Sequence, residues 1–198
     1  MRWVFLVFQA LAVRMAHAMD GGHGDLEKSD ERYTVIRGGL KCLPRLLVVD
    51  FDAAAVQDPL RLSPDEAQAL IHATRVGAEL VVVTGGDERS TLSTFVNAGL
   101  TATVLSDGPV VNDLERARVR AEHLAALCCE CGIRLRDVAV IASHPYDCPM
   151  LLEAGIAVAF ETAGYDACVA SDAVFPARDQ SGLAAAIDAI VNDAERSL

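Results

Sequence analysis

Leu46-Leu47-Val48-Val49-Asp50-Phe51-Asp52 sets four consecutive apolar residues between Pro44 and a small-residue loop beginning at Ala53. A short apolar run bounded in this way predicts a strand buried on both faces, and such strands belong in the middle of a parallel sheet. Its carboxyl end is where open α/β sheets place their chemistry. Asp50 and Asp52 stand there two residues apart. In an extended segment both carboxylates then face the same crevice. Like charges so close either raise a pKa or hold a cation, whereas a plain strand-end turn would leave them solvated.

Outward from this strand the chain alternates. Ser63-Pro64-Asp65-Glu66 predicts a helix start, with serine as cap, proline first and glutamate three residues after the cap. That helix runs to about Val76, and Gly77 closes it. Leu80 to Val83 predicts a second buried strand ending in Thr84-Gly85-Gly86, and Asp87 opens a helix that stops near Asn97. A short strand over Ala102 to Leu105 leads into the turn Ser106-Asp107-Gly108-Pro109. Leu114 to Cys131 reads as helix, with Leu124 and Leu127 inward and His123 a packed or surface residue. Val138 to Ile141 is a third long strand, followed by the loop from Ala142 to Asp147. Asp147 could help hold a cation or cap the short helix after it. Ile156 to Phe160, a brief helix from Tyr165, a strand near Ala173 to Phe175 and a helix from about Ser181 complete the pattern. The alternation predicts an α/β, doubly wound (Rossmann-like) parallel sheet flanked by helices.

The 198 residues suit one domain over 41–198, preceded by a segment and linker over 1–40. A net charge of −11 and a pI near 4.8 argue against nucleic acid or an anionic membrane as partner. The six cysteines repeat no C-x₂-C spacing, so free, mostly buried thiols in a reducing compartment are expected rather than a zinc site. Trp3 to Val13 is apolar, and Ala16-His17-Ala18 has the small residues of a cleavage site. Arg14 interrupts that outline, which leaves open a signal peptide, an organelle-targeting helix or a docking helix. A cytoplasmic or organellar location is expected. Gly21 to Gly39 is polar and glycine-punctuated, as in a linker.

Three strand ends thus offer polar groups to one edge: Asp50 and Asp52, Thr84-Gly85-Gly86, and Ser143 to Asp147. A hydroxyl beside two glycines can bind an anion through outward-pointing N–H groups. In order and spacing, Asp50-Phe51-Asp52, Leu62-Ser63-Pro64 through Thr84-Gly85-Gly86, Leu105 to Val111, and Asp147-Cys148-Pro149-Met150-Leu151 with Ala154 to Ala159 resemble the haloacid dehalogenase-like hydrolases. Within them the chain looks like the Cof-type sugar-phosphate phosphatases, over about Leu46 to Val191. The resemblance implies Asp50 as a nucleophile forming an aspartyl-phosphate, Asp52 as general acid and base, and Thr84, with Gly85 and Gly86, binding the phosphoryl group. It also implies Mg²⁺ held by Asp50, the Asp52 carbonyl and the fourth-motif residues Ser143 and Asp147.

Four departures accompany the resemblance. Ala142-Ser143 replaces the family's Gly-Asp, exchanging a metal carboxylate for a neutral hydroxyl. Arg120 stands where the third-motif lysine is expected, keeping charge but not the compact ammonium. Ala53-Ala54 replaces Gly-Thr. The large cap expected between Val111 and Arg120 is absent, which implies a site open to water. The reading is therefore a magnesium-dependent phosphohydrolase of weakened or altered activity acting on a phosphorylated, large substrate. The alternative is a catalytically inactive module that binds a protein partner or a second copy through its capless face or N-terminal segment. A phosphorylated receiver-like domain is a third, less well matched option.

Overall fold

The computed structural model describes residues 43–51, 61–110, 112–177 and 181–196. Asp52 and the 1–40 segment lie outside the described residues. Six strands form one sheet: β1 (Leu46–Asp50), β2 (Glu79–Thr84), β3 (Thr103–Ser106), β4 (Val138–Ala142), β5 (Ile156–Phe160) and β6 (Ala173–Phe175). They run in the order β3-β2-β1-β4-β5-β6, and every pairing is parallel. The quoted strand is central: Leu46 pairs with Glu79 on one side and Val138 on the other. The order reverses at β1, so a crevice opens at the carboxyl ends of β1 and β4.

Alternation along β1 divides the core in two. Leu47, Val49 and Phe51 pack with α1 (Pro64–Arg75), α2 (Glu88–Asn97) and α6 (Gly182–Arg196). Leu46 and Val48 pack with α3 (Asp113–Cys131), α4 (Cys148–Glu153) and α5 (Tyr165–Ala170). Phe51 meets Phe95 of α2 edge to face at 4.8 Å, a geometry that suits two ring quadrupoles. Asp50 has the parity of Leu46 and Val48, so its carboxylate belongs to the α3 side.

The predicted caps form. Ser63 Oγ accepts the Glu66 N–H at 3.2 Å, while Glu66 Oε2 accepts the Ser63 N–H at 2.8 Å. Asp87 caps α2 through the Ser90 N–H, and Asn112 caps α3 through the Glu115 N–H. Gly132 ends α3 at φ 62°, a conformation that favours glycine. β3 ends at Ser106 and α3 begins at Asp113. Among the described residues no helix is long and apolar enough to cross a membrane.

The thiols differ from expectation. Cys128 is buried, Cys148 and Cys168 are half-buried, and Cys129 and Cys131 are exposed; all five are free. The helical turn of 100° per residue explains the split, because only Cys128 falls on the inward stripe of Ala117, Ala121 and Leu124. His123 lies on the exposed face and Leu127 at the margin of the core.

Candidate active site

An arginine lies on the buried stripe of α3. Ala117, Arg120, Ala121, Leu124 and Cys128 share that stripe, and the Arg120 side chain is wholly shielded from solvent. A charge in that position must be paired, since isolated burial costs far more than the fold can supply. Three carboxylates meet it. Nε donates to Asp107 at 2.8 Å (Oδ1) and 3.0 Å (Oδ2). Nη1 donates to Asp147 Oδ1 at 2.7 Å and to Asp50 Oδ1 at 3.1 Å. Asp50 comes from the end of β1, Asp107 from the loop after β3, and Asp147 from the turn of 3₁₀ helix at Pro145–Asp147 after β4.

The other oxygens of Asp50 and Asp147 are also engaged. Asp50 Oδ2 accepts the Ser143 hydroxyl and lies 2.9 Å from His144 Nδ1. Asp147 Oδ2 accepts the His144 backbone N–H at 3.1 Å. Ser143 Oγ is itself 3.0 Å from the same His144 nitrogen. Because serine and aspartate share one ring nitrogen, these three residues do not form a nucleophile–base–orienter chain, which requires the two opposite nitrogens. The imidazole stacks on Tyr146, with centroids 4.7 Å apart and planes 7° from parallel. The guanidinium carbons of Arg120 and Arg116 lie 4.7 and 5.1 Å from the centre of the Tyr146 ring.

Electrostatics separates the two acids. Burial alone would raise the pKa of Asp50, but the His144 hydrogen bond, the Arg120 charge and the Ser143 hydroxyl outweigh it and hold the carboxyl at about 2. Asp147 is pushed well above the ordinary range, by burial first and then by the charge of Asp50, with Arg120 opposing. The shorter Arg120 contact belongs to Asp147, yet Asp50 is the stronger acid. The two acids share one guanidinium nitrogen, and only Asp50 also has the His144 ring and Ser143 hydroxyl, so a proton bound by the pair resides on Asp147.

Ligand atoms of Asp50, His144 and Asp147 lie within 4.8 Å of one another, close enough to hold one metal ion. The donors fit a divalent cation, since the carboxyl groups of Asp50 and Asp147 supply hard oxygen.

No protein-family model and no curated protein matches the sequence. Solved structures do. The chain resembles 3-deoxy-D-manno-octulosonate 8-phosphate phosphatase from Moraxella catarrhalis, solved with magnesium, phosphate and KDO, at 14% identity and TM-score 0.62, over 78% of this chain and 89% of that one. The cobalt-bound deoxy-D-mannose-octulosonate 8-phosphate phosphatase of Haemophilus influenzae matches at 13% identity and TM-score 0.62, over 79% and 92%. A haloacid dehalogenase-like hydrolase from Bacteroides thetaiotaomicron matches at 14% identity and TM-score 0.58, over 74% and 99%. The fold is that of the haloacid dehalogenase-like hydrolases.

On this haloacid dehalogenase-like core, Asp50, Arg120, Ser143 and Asp147 converge as a hydrogen-bonded group. Thr84 ends the neighbouring strand, one residue beyond the register partner of Asp50, and its hydroxyl accepts the Gly86 N–H at 3.0 Å. Gly86 is tightly placed: a Cβ there would stand 3.2 Å from that hydroxyl oxygen. Of the two roles open to Asp147, capping is not taken up: it makes no capping bond to α4 and turns inward to Arg120. Nor do the acids lie open to water, for Asp50 is 2% and Asp147 0% exposed.

Three participants went unmarked in the sequence: His144, Tyr146 and Asp107. His144 and Tyr146 sit between Ser143 and Asp147, where any side chain must border the crevice, and that position was the available signal. Asp107 reads as ordinary turn chemistry and carries no such mark.

Proposed function

We propose that the chain is a phosphohydrolase that cleaves phosphate monoesters through an aspartyl-phosphate on Asp50. The observation carrying this reading is the convergence of Asp50, at the carboxyl end of the central strand, with Arg120, Ser143 and Asp147. Against the effect of burial, His144, Arg120 and Ser143 lower the pKa of the Asp50 carboxyl, which favours the ionised form that attack on phosphorus requires. In the first step an Asp50 oxygen bonds to phosphorus as the bond to the leaving oxygen breaks, and Asp52 gives that oxygen a proton. In the second, Asp52 takes a proton from water, the water oxygen bonds to phosphorus, and Asp50 leaves with orthophosphate released. Thr84 and Gly85 orient the phosphoryl oxygens, with the Gly86 N–H fixing the Thr84 hydroxyl, and Arg120 offsets their charge. Mg²⁺, held by Asp50 and Asp147 with Ser143 and the Asp52 carbonyl, would supply further charge neutralisation.

The test is release of orthophosphate from p-nitrophenyl phosphate with and without Mg²⁺, for the wild type and Asp50→Asn. Turnover abolished by the substitution supports the reading; equal turnover in both rejects it.

One observation favours a second reading, a non-catalytic binding module. All four carboxylate oxygens of Asp50 and Asp147 already have partners within the protein. In that reading the convergence stabilises the crevice, and the molecule serves through its surface. Lack of phosphate release by wild-type protein, together with a stable complex or oligomer in native mass spectrometry, would select it.

A further inference from the structure

We infer that Asp107 is a positioning residue, which aims the Arg120 guanidinium so that a single nitrogen reaches both Asp50 and Asp147. The inference rests on the proposed phosphohydrolase reading and adds a residue to it. A lysine ammonium is a compact charge that donates in any direction, but a guanidinium is planar and delivers charge only along its N–H vectors. An arginine in this place therefore needs a second group to fix its plane. Asp107 accepts from Nε with both oxygens, at 2.8 and 3.0 Å, and so sets the direction of Nη1.

The anchor is firm at both ends. The Asp107 N–H donates to the Thr84 carbonyl at 3.0 Å, tying the loop after β3 to the end of β2. The Asp107 side chain is 1% exposed, and Arg116, one helical turn before Arg120, also reaches it at 3.2 Å. Tyr146 lies beneath both guanidinium groups and limits their tilt. Asp107 thus links the hydroxyl-glycine corner of β2 to the cation between the two acids. Its contact with the guanidinium gives it a route to both acids through Arg120.

A plain charge partner and a positioning residue predict different results. Asp107→Glu keeps the charge but lengthens the arm, so the fork rotates. We expect Asp107→Asn and Asp107→Glu each to lower kcat about tenfold to a hundredfold, with KM changed less than about threefold. In an Arg120→Lys background, which has no plane to orient, Asp107→Glu should change kcat by less than about threefold. Full activity of Asp107→Glu, or an equal loss in both backgrounds, would overturn the inference.

A second measurement needs no turnover. The Arg120 Nε–H cross-peak in a ¹H–¹⁵N spectrum, assigned by its disappearance in Arg120→Lys, should be protected from exchange and should shift in Asp107→Glu. An unshifted or rapidly exchanging signal overturns the inference even if phosphate release is confirmed. If wild type and Asp50→Asn release phosphate equally, the phosphohydrolase reading fails by itself, and the cross-peak alone decides whether Asp107 orients Arg120.

Discussion

Arg120 and Asp147 meet at 2.7 Å, and neither side chain reaches solvent. The pair joins α3 to the turn after β4, and Asp50 adds the central strand through the same guanidinium nitrogen. Removing the cation would leave Asp50, Asp107 and Asp147 buried without the guanidinium they share. Arg120→Leu is therefore expected to lose about 3–5 kcal/mol of stability, the usual cost of stranding one side of a buried ion pair. Arg120→Lys, which retains a charge, should lose less. Urea unfolding followed by circular dichroism compares them.

Acid should reveal Asp50. Its folded pKa, about 2, lies below the ordinary 3.8, so its contribution is fully present above about pH 4 and is lost as pH falls toward 2. Asp147 has the opposite sign: its raised pKa gives stability that is present below about 3.8 and lost as pH rises through the folded value. The urea midpoint of Asp50→Asn should therefore fall less than that of the wild type between pH 4 and 2. Asp147→Asn should lack the wild type's decline on raising the pH above 4. Parallel curves for all three proteins would refute both assignments.

Thiol chemistry should separate the exposed cysteines of α3 from Cys148 at the start of α4. Cys129 and Cys131 are exposed, whereas burial, aided by the charges of Asp166 and Asp147, pushes the half-buried Cys148 up to about 11. The thiolate is the reactive form, so Cys148 should stay unlabelled while Cys129 and Cys131 alkylate. Brief iodoacetamide treatment at pH 7.5 and peptide mapping would show this. Early modification of Cys148 would contradict its placement.

At the start of α1, Ser63→Ala removes the hydroxyl that accepts the Glu66 N–H. The reciprocal bond from the Ser63 N–H to Glu66 remains, so a loss of about 1 kcal/mol is expected, as for other serine caps. Thermal melting compared with Ser93→Ala would test it; Ser93 lies on the exposed face of α2, where its hydroxyl bonds only its own helix.

The features legible in the sequence are those that nearby residues determine. Leu46 to Val49 could form only a doubly covered strand, and Ser63 with Glu66 could form only a helix start. The convergence of Asp50, Ser143 and Asp147 was legible as well, because parallel strands align their carboxyl ends. What escaped was enclosure. Asp147 carries the outward mark of a helix cap, and its inward turn depends on Arg120, 27 residues earlier. Asp107 carries the mark of a turn, and its grip on Arg120 depends on how α3 is rotated over the sheet. His144 lies inside the Ser143 to Asp147 loop, which was its one signal, and nothing local marks its contact with Asp50. Side chains that find partners across elements leave no local pattern.

Helix α3 brings Arg116 and Arg120 to the crevice from consecutive turns, and its inner stripe is otherwise alanine, leucine and cysteine. Both positive charges therefore ride on one helix, so whatever displaces α3 acts on Arg116 and Arg120 together rather than on either alone.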